Sequence, residues 1–338
     1  MKAFGPDVLK LDPEQETERI AAIIRQQVFQ QFHRRGAVIG LSGGIDSSVC
    51  AALSVRALGA DRVLGLFTPE ADSSGDSLRL GRLLADGLGV EGILEEITAI
   101  LEGAGCYRRR DEAIRTLVPE YTPEYKCKIA LPGLAGAGTG TYAIYSVLLR
   151  SPAGVETKVR LTAEAYRGIV AATNFKQRTR KMIEYYHADN RHFVVVGTPN
   201  RLEYDLGFFV KNGDGAADIK PIAHLYKSQV YQLAAYLNVP EEIRLRPPTT
   251  DTYSLEQSQE EFYFSVSLEK MDLCLYGKTH GLDPHAVAAA TGLSADQVSW
   301  VYGQIEGKRR AGEYLHAPPL LADNELDPQP TESAKQAL

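Results

Sequence analysis

Short apolar segments alternate with amphipathic stretches through the first hundred residues of the chain. Apolar residues at 37–41, 62–68 and 92–97 predict strands, and the helical spacing at 46–58 and 76–88 predicts a helix after each of the first two. Strands that are apolar on both faces and alternate with helices are typical of a parallel sheet covered on both sides. The pattern therefore predicts an α/β fold, a doubly wound parallel sheet with helices on both faces.

Capping signals and apolar periodicity extend this pattern in both directions. Asp12 precedes a proline and an apolar stripe, which predicts a helix from there to about His33. Further along, residues 176–187 predict a helix, 193–197 a buried strand, and 230–237 an amphipathic helix. The later strand and helices supply additional members of the same sheet and its covering layers.

A long interruption at about 103–162 differs in character from its surroundings. Residues 155–162 alternate apolar and polar positions with period two, and they face 141–150 across the turn residues 151–154. The interruption therefore predicts an inserted β-hairpin. The glycine-rich run 136–140 lacks the spacing of a dinucleotide fingerprint, so we interpret it as a loop.

Composition restricts the class of protein. With 338 residues, 44% of them hydrophobic, the chain can form one large core, which predicts a single domain at 1–317 and a disordered polar tail at 318–338. A net charge of −6 argues against broad nucleic-acid binding. No apolar run approaches about eighteen residues, so no membrane partner is expected. Four scattered cysteines are typical of reduced thiols, which predicts a cytoplasmic location.

The segment that joins the first strand to the following helix has the chemistry of an anion site. Two glycines allow backbone amides to approach a phosphate, serine hydroxyls add donors, and the helix directs its positive end there. The loop lacks the Gly-Lys-Ser/Thr ending of a Walker A motif, and its carboxylate instead suits a metal bound to the phosphates. The residues predicted to bind phosphate here are Ser42, Gly43, Gly44, Asp46, Ser47 and Ser48.

A second group of charged residues follows the strand predicted at 193–197. A hydrated Mg²⁺ prefers one or two carboxylates together with phosphate oxygens, so Asp46 and Glu203 are predicted to meet at one ion. Lys227 is predicted to neutralise charge on a phosphoryl transition state, and Asp214 to hold a second ion or steer an amine. Taken singly, each of these charges is also typical of a solvated loop or a helix cap.

The order and spacing of four motifs resemble the ammonia-dependent NAD synthetases of the N-type ATP pyrophosphatase superfamily. The motifs are Ser-Gly-Gly-x-Asp-Ser at 42–47, Gly-Thr-x-Asn-x-x-Glu at 197–203, Gly-Phe-x-x-Lys-x-Gly-Asp-x-x-x-Asp at 207–218, and Pro-Thr-x-Asp at 248–251. The resemblance implies an adenine nucleotide α hydrolase-like fold. It also implies adenylation of the nicotinate carboxylate of deamido-NAD by ATP, followed by attack of ammonia to give NAD, AMP and pyrophosphate.

By this resemblance each matched residue receives a role. The resemblance implies catalytic roles for Asp46, Lys227, Asp214 and Thr249. The phosphate-binding residues of the loop at 42–48, together with Thr198, Lys227 and Thr249, are implied to bind ATP and pyrophosphate. The residues implied to bind deamido-NAD are Asn174, Arg178, Phe208, Lys211, Asp214 and Asp218, and Mg²⁺ is implied as the cofactor held by Asp46 and Glu203. A homodimer is expected, and the nitrogen is expected to come from free ammonia or a separate glutaminase.

Two alternatives remain open at this point. The chain is an amide synthase of the same type that acts on another small carboxylic acid, or it is an ATP-binding protein without turnover. Convergence of Asp46, Glu203, Asp214 and Lys227 on one site favours catalysis, because binding alone needs fewer charges.

Overall fold

The computed structural model describes residues 4–130, 145–249, 252–255, 263 and 266–322. The helices among them are Pro13–Arg25 (α1), Ile45–Leu58 (α2), Gly75–Leu88 (α3), Thr98–Gly103 (α4), Cys106–Arg115 (α5), Ala163–Arg191 (α6), Arg201–Leu206 (α7), Lys227–Tyr236 (α8), Glu241–Leu245 (α9), Leu268–Thr279 (α10), Pro284–Thr291 (α11) and Ala295–His316 (α12). The strands are Ala37–Gly40 (β1), Val63–Phe67 (β2), Glu91–Leu94 (β3), Lys126–Ala130 (β4), Ser146–Arg150 (β5), Glu156–Arg160 (β6) and Val194–Val195 (β7).

Strands β1, β2, β3 and β7 form a parallel sheet in the order β3-β2-β1-β7. The order reverses direction at β1, because the chain moves outward through β2 and β3 and then returns to place β7 on the other side. Ligands of open α/β sheets bind at the carboxyl ends of strands beside such a reversal. The doubly wound α/β prediction is confirmed.

Helices cover both faces of this sheet. On one face α1, α2, α3 and α8 enclose a core that includes Ile39, Val49 and Leu53. On the other face α6 packs over Val38, Leu64 and the neighbouring strands. Because both faces are buried, the strands are apolar at successive positions rather than at alternate ones.

Local sequence signals account for most element boundaries. The Asp12 carboxylate accepts hydrogen bonds from the amides of Glu14 and Gln15, as expected of an N-cap. The predicted first helix continues beyond α1 as a π-helical stretch at Gln26–Gln31. The helix predicted at 176–187 is the centre of the much longer α6. The strand predicted at 193–197 shortens to β7, extended by an isolated bridge between Val196 and Ile219.

The inserted segment forms a second, antiparallel sheet in the order β4-β5-β6. The predicted hairpin is confirmed, with Arg150 opposite Glu156 across a turn at 151–154. Strand β4 and helix α5 were not predicted, and α5 packs along the N-terminal half of α6. The glycine-rich run 136–140, the start of the predicted strand at 141–144 and the tail from 323 lie outside the described residues. The division into a domain at 1–317 and a tail stays a prediction.

Candidate active site

A cavity of about 440 Å³ opens at the carboxyl edge of the parallel sheet. Its walls come from the segments after β1, β2 and β7, from α6 between Tyr166 and Glu184, and from loops around residues 207–214 and 246–253. One face of α6, from Tyr166 to Glu184, therefore forms one side of the cavity.

The serine-glycine loop forms the floor of this cavity. The hydroxyls of Ser47 and Ser48 donate to the Gly44 carbonyl at 3.0 and 2.8 Å, and the Ser42 hydroxyl accepts from the Gly44 amide at 3.3 Å. Gly43 has a φ of +71°, and a Cβ there would lie 2.6 Å from the carbonyl of Ser77. The loop is thus a tight turn that presents backbone and hydroxyl donors at the N-terminus of α2, which suits an anion.

Two of the predicted catalytic charges, Asp46 and Lys227, meet beside this loop. The Asp46 carboxylate forms an ion pair with the Lys227 ammonium. It also accepts a hydrogen bond from the side-chain amide (Nδ2) of Asn200 at 3.0 Å. Asn200 and Glu203 form a capping box at the start of α7, with both reciprocal bonds at 3.2 Å. Direct contacts therefore join the motif at 42–47 to the motif at 197–203, which is far from it in sequence. Asp46 and Glu203 line the same cavity.

Lys227 is almost completely buried, with an exposed fraction of 1%. Burial disfavours its ammonium form, but the negative charges of Asp46 and Glu203 outweigh that effect and raise the pKa of Lys227 above its usual 10.5. The lysine therefore remains charged at neutral pH in a site largely shielded from water. A buried cation of this kind interacts strongly with a phosphoryl group, because solvent screens it little.

Asp272 positions Lys227, and the sequence contained no signal for it. Its carboxylate accepts from the amides of Lys227 and Ser228 at 3.1 and 2.7 Å and so caps the N-terminus of α8. Asp272 is fully buried, and burial raises its pKa to about 6 although both amide bonds act in the opposite direction. It lies 45 residues from Lys227 on α10, so only the tertiary packing of α10 on α8 brings the two together.

The donor set fits a magnesium ion bound mainly through phosphate oxygens. Within the described part of the chain no three acidic, histidine or cysteine side chains cluster as a self-sufficient metal site. Asp46 and Glu203 provide two carboxylates at the cavity wall, which matches the preference of Mg²⁺ for one or two protein carboxylates plus substrate phosphates.

Five more of the predicted site residues lie on the cavity wall, namely Asn174, Thr198, Phe208, Asp214 and Thr249. The Phe208 ring stacks on Tyr263 at 4.5 Å between centroids. Asp214 accepts a hydrogen bond from the Val210 amide at 2.7 Å, and burial raises its pKa. Its carboxylate therefore fixes the loop that carries Phe208, in addition to any contact with a ligand.

The other three predicted substrate ligands make structural contacts in this conformation. The Asp218 carboxylate accepts from the Val195 amide at 2.7 Å and from the Tyr185 hydroxyl at 3.2 Å. Arg178 donates to the Lys211 carbonyl at 3.3 Å, and the Lys211 ammonium donates to carbonyls at the end of α12. Their roles toward deamido-NAD stay predictions.

Helix α6 contributes further charged residues to the cavity wall. Lys181 and Glu184 form an ion pair at 2.5 Å, and Arg180 donates to the Thr68 carbonyl at the end of β2. All three line the cavity. The i, i+3 spacing of Lys181 and Glu184 was visible in the sequence, but such a pair is usually found on an exposed helix face.

A buried ion network lies directly behind one wall. The Lys176 ammonium donates to Glu70 at 2.9 Å, to Asp72 at 2.6 Å and to the Thr252 carbonyl at 2.8 Å. Asp72 also pairs with Arg110 of α5 at 2.6 Å. Burial opposes ionisation of Asp72, yet the two cations together lower its pKa. The network ties the loop after β2 to α6 and to the inserted segment.

Comparison with known proteins identifies the family of this chain. The sequence profile of the NAD synthase family matches residues 16–115 and 153–310 and so skips 116–152. The chain is 58% identical to an NH3-dependent NAD+ synthetase of Rhizobium meliloti over 94% of each chain. It is 37% identical to one of Thermotoga neapolitana over 76% of this chain and 82% of the relative.

Solved structures show the same fold. An NMN synthetase of Francisella tularensis superposes with a TM-score of 0.64, and an NH3-dependent NAD synthetase of Campylobacter jejuni with 0.60. Each is 22% identical and corresponds to 93% of this chain and 100% of its own. Among the helices described, none is both long and apolar enough to cross a bilayer. The chain belongs to the NAD synthase family, as its four motifs predicted, because it matches the family profile and is 58% identical to a curated member.

Proposed function

We propose that this protein catalyses the ATP-dependent amidation of deamido-NAD by ammonia, forming NAD, AMP and pyrophosphate. The observation that carries the proposal is the contact of Asp46 with both Lys227 and Asn200, because it joins an anion-binding loop to a buried cation and a second carboxylate. This arrangement suits the transfer of a nucleotidyl group, in which charge on phosphorus must be stabilised.

In the first step a carboxylate oxygen of the nicotinate ring attacks the α-phosphorus of ATP, and the bond to pyrophosphate breaks. The serine-glycine loop binds the leaving pyrophosphate through backbone amides and the hydroxyls of Ser42 and Ser47. Lys227 stabilises the extra negative charge of the transition state. A magnesium ion held by Asp46 and Glu203 supplies Lewis-acid polarisation of the phosphates when bound.

In the second step ammonia attacks the acyl carbon, the bond from that carbon to the AMP oxygen breaks, and the nitrogen loses a proton to give the amide. The acyl adenylate is already activated, so this step needs no nucleophilic side chain. Asp214 and Thr249 line the cavity and are proposed to orient the amine and the reacting phosphate, respectively. Asn174 and Phe208, on the same wall, are proposed to contact the dinucleotide.

We propose a homodimer that uses free ammonia or ammonia from a separate glutaminase. A cytoplasmic location agrees with the four cysteines, all of which are buried and outside any disulfide.

Initial rates with ATP, magnesium and ammonium test the proposal directly. Deamido-NAD is compared with nicotinate mononucleotide and with unrelated small acids, and the amide, AMP and pyrophosphate are quantified together. Equimolar NAD, AMP and pyrophosphate from deamido-NAD are expected. Turnover with another acid alone would identify a different amide synthase, and ATP binding without turnover of any acid would identify a binding protein.

A further inference from the structure

The inserted sheet brings one aromatic side chain into the cavity. Tyr145 immediately precedes β5, and its carbonyl accepts from the Leu161 amide at 2.9 Å, which fixes the start of the strand. Its ring stacks on Tyr166 of α6 with centroids 4.3 Å apart and planes 22° from parallel. Both rings line the cavity. Tyr145 belongs to the segment 116–152 that the family profile skips, so the inserted sheet builds part of this wall.

This tyrosine pair continues an aromatic wall that begins next to the catalytic charges. The Phe208 amide donates to the Glu203 carbonyl at 2.8 Å, and the Phe208 ring stacks on Tyr263. Tyr263 in turn lies close enough to Tyr145 for an electrostatic interaction between them. Burial and the neighbouring Tyr145 raise the pKa of Tyr166, so the Tyr166 hydroxyl is neutral at physiological pH.

We propose that Tyr145 and Tyr166 form a platform for the ring of the acid substrate and so determine specificity for it, a proposal that rests on the function proposed above. The ring that bears the reacting carboxylate is bonded directly to it, so it must lie beside the residues that face the α-phosphate. The aromatic wall starts at that point. Planar aromatic rings stack favourably on the ring of a tyrosine.

Polar contacts for ATP lie on another side of the same cavity. The loop after β2 presents Thr68 and Ser73, and Arg180 donates to both of them. This loop and the serine-glycine loop follow adjacent strands, since β1 and β2 are hydrogen-bonded neighbours. The geometry therefore separates a nucleotide side near β1 and β2 from an aromatic side formed by α6, the insert and Phe208.

Steady-state kinetics of Tyr145→Ala and Tyr166→Ala test the platform. Each variant is expected to raise KM for deamido-NAD about tenfold, while KM for ATP and kcat at saturation change less than twofold. The conservative variants Tyr145→Phe and Tyr166→Phe should recover most of the loss, because the ring is retained. Tyr125→Ala is the matched control, since Tyr125 is in the same insert and is half-buried outside the cavity wall.

Several results would overturn the platform. An unchanged KM for deamido-NAD, an equal rise in KM for ATP, or the same effect from Tyr125→Ala would each remove the proposed specificity role. These outcomes differ from failure of the proposed function, which is seen as absence of NAD formation by the wild-type protein. In that event the platform, which is defined by the acid substrate, is refuted with it.

Discussion

Replacing Lys176 by methionine removes the central cation of the buried ion network behind the cavity. Lys176 is fully buried, and its ammonium has three oxygen partners within 2.9 Å, two of them carboxylates. Methionine fills a similar volume without charge. The change therefore leaves Glu70 and Asp72 buried without their shared partner while it creates little empty space.

The contacts that Glu70 and Asp72 keep in Lys176→Met determine how much folding stability is lost. Removing one partner of a buried ion pair typically costs about 3–5 kcal/mol. Glu70 keeps the Tyr107 hydroxyl at 2.7 Å, and Asp72 keeps Arg110 at 2.6 Å, so we expect the lower end, about 3 kcal/mol. An unfolding entropy of about 2.1 cal/mol/K per residue gives about 0.7 kcal/mol/K for this length, so Tm should fall by about 4 °C.

Thermal unfolding followed by circular dichroism measures the difference in Tm between the wild type and Lys176→Met. The matched control is Arg108→Met, which breaks an exposed ion pair with Glu112 and should change Tm by about 1 °C or less. Asp72 has a pKa below its usual 3.8, so its ionised form stabilises the fold above that pH, and the contribution is lost as pH falls through the lowered pKa. The difference between wild type and Lys176→Met should thus persist at pH 7 and shrink below about pH 4.

A Tm for Lys176→Met within 1 °C of the Arg108→Met control at pH 7 would refute this reasoning. It would mean that the desolvation cost of the buried charges cancels their attraction. Lys176→Met combined with Glu70→Gln gives a further check, because a coupled pair predicts a combined loss clearly smaller than the sum of the two single losses.

Four further predictions concern the residues around the phosphate loop. Asp46→Asn should lower kcat by more than tenfold with an unchanged circular dichroism spectrum, and retention of more than about a tenth of the activity would contradict its role as metal ligand. Lys227→Ala should slow adenylation far more than it weakens ATP binding, whereas equal losses would assign Lys227 to ground-state binding. Gly43→Ala should weaken ATP binding measured by calorimetry, because its φ of +71° and a Cβ 2.6 Å from a carbonyl both displace the loop; wild-type affinity would argue against this loop as the anion site. Burial raises the pKa of Asp272 to about 6. The free energy of unfolding is therefore highest below about pH 4 and falls as pH rises to about 6, where the folded protein loses that proton. Asp272→Asn should flatten that part of the profile of Tm against pH, and an unaltered slope would show that Asp272 does not titrate there.

The sequence by itself determined the chain's central architecture and the position of its candidate anion-binding loop. Short apolar strands alternating with helices predicted the parallel sheet, because local periodicity records which faces are buried. The serine-glycine loop was recognisable since its function depends on backbone conformation and short side chains, which neighbouring residues encode. The hairpin at β5 and β6 was predictable for the same reason, as period-two alternation and a short turn are local properties.

Only the tertiary structure decided which distant side chains share a partner. Asp272 caps the helix of Lys227 from another element, Lys176 was predicted to be helical but not to be the buried centre of an ion network, and Tyr145 reaches the cavity through an inserted sheet. Periodicity does not specify which helix packs on which, and a charged residue has the same local pattern whether it is exposed or paired inside the fold. Those pairings depend on how whole helices and strands pack. The free energy of a buried charge depends both on its desolvation and on its attraction to a partner, and packing determines both.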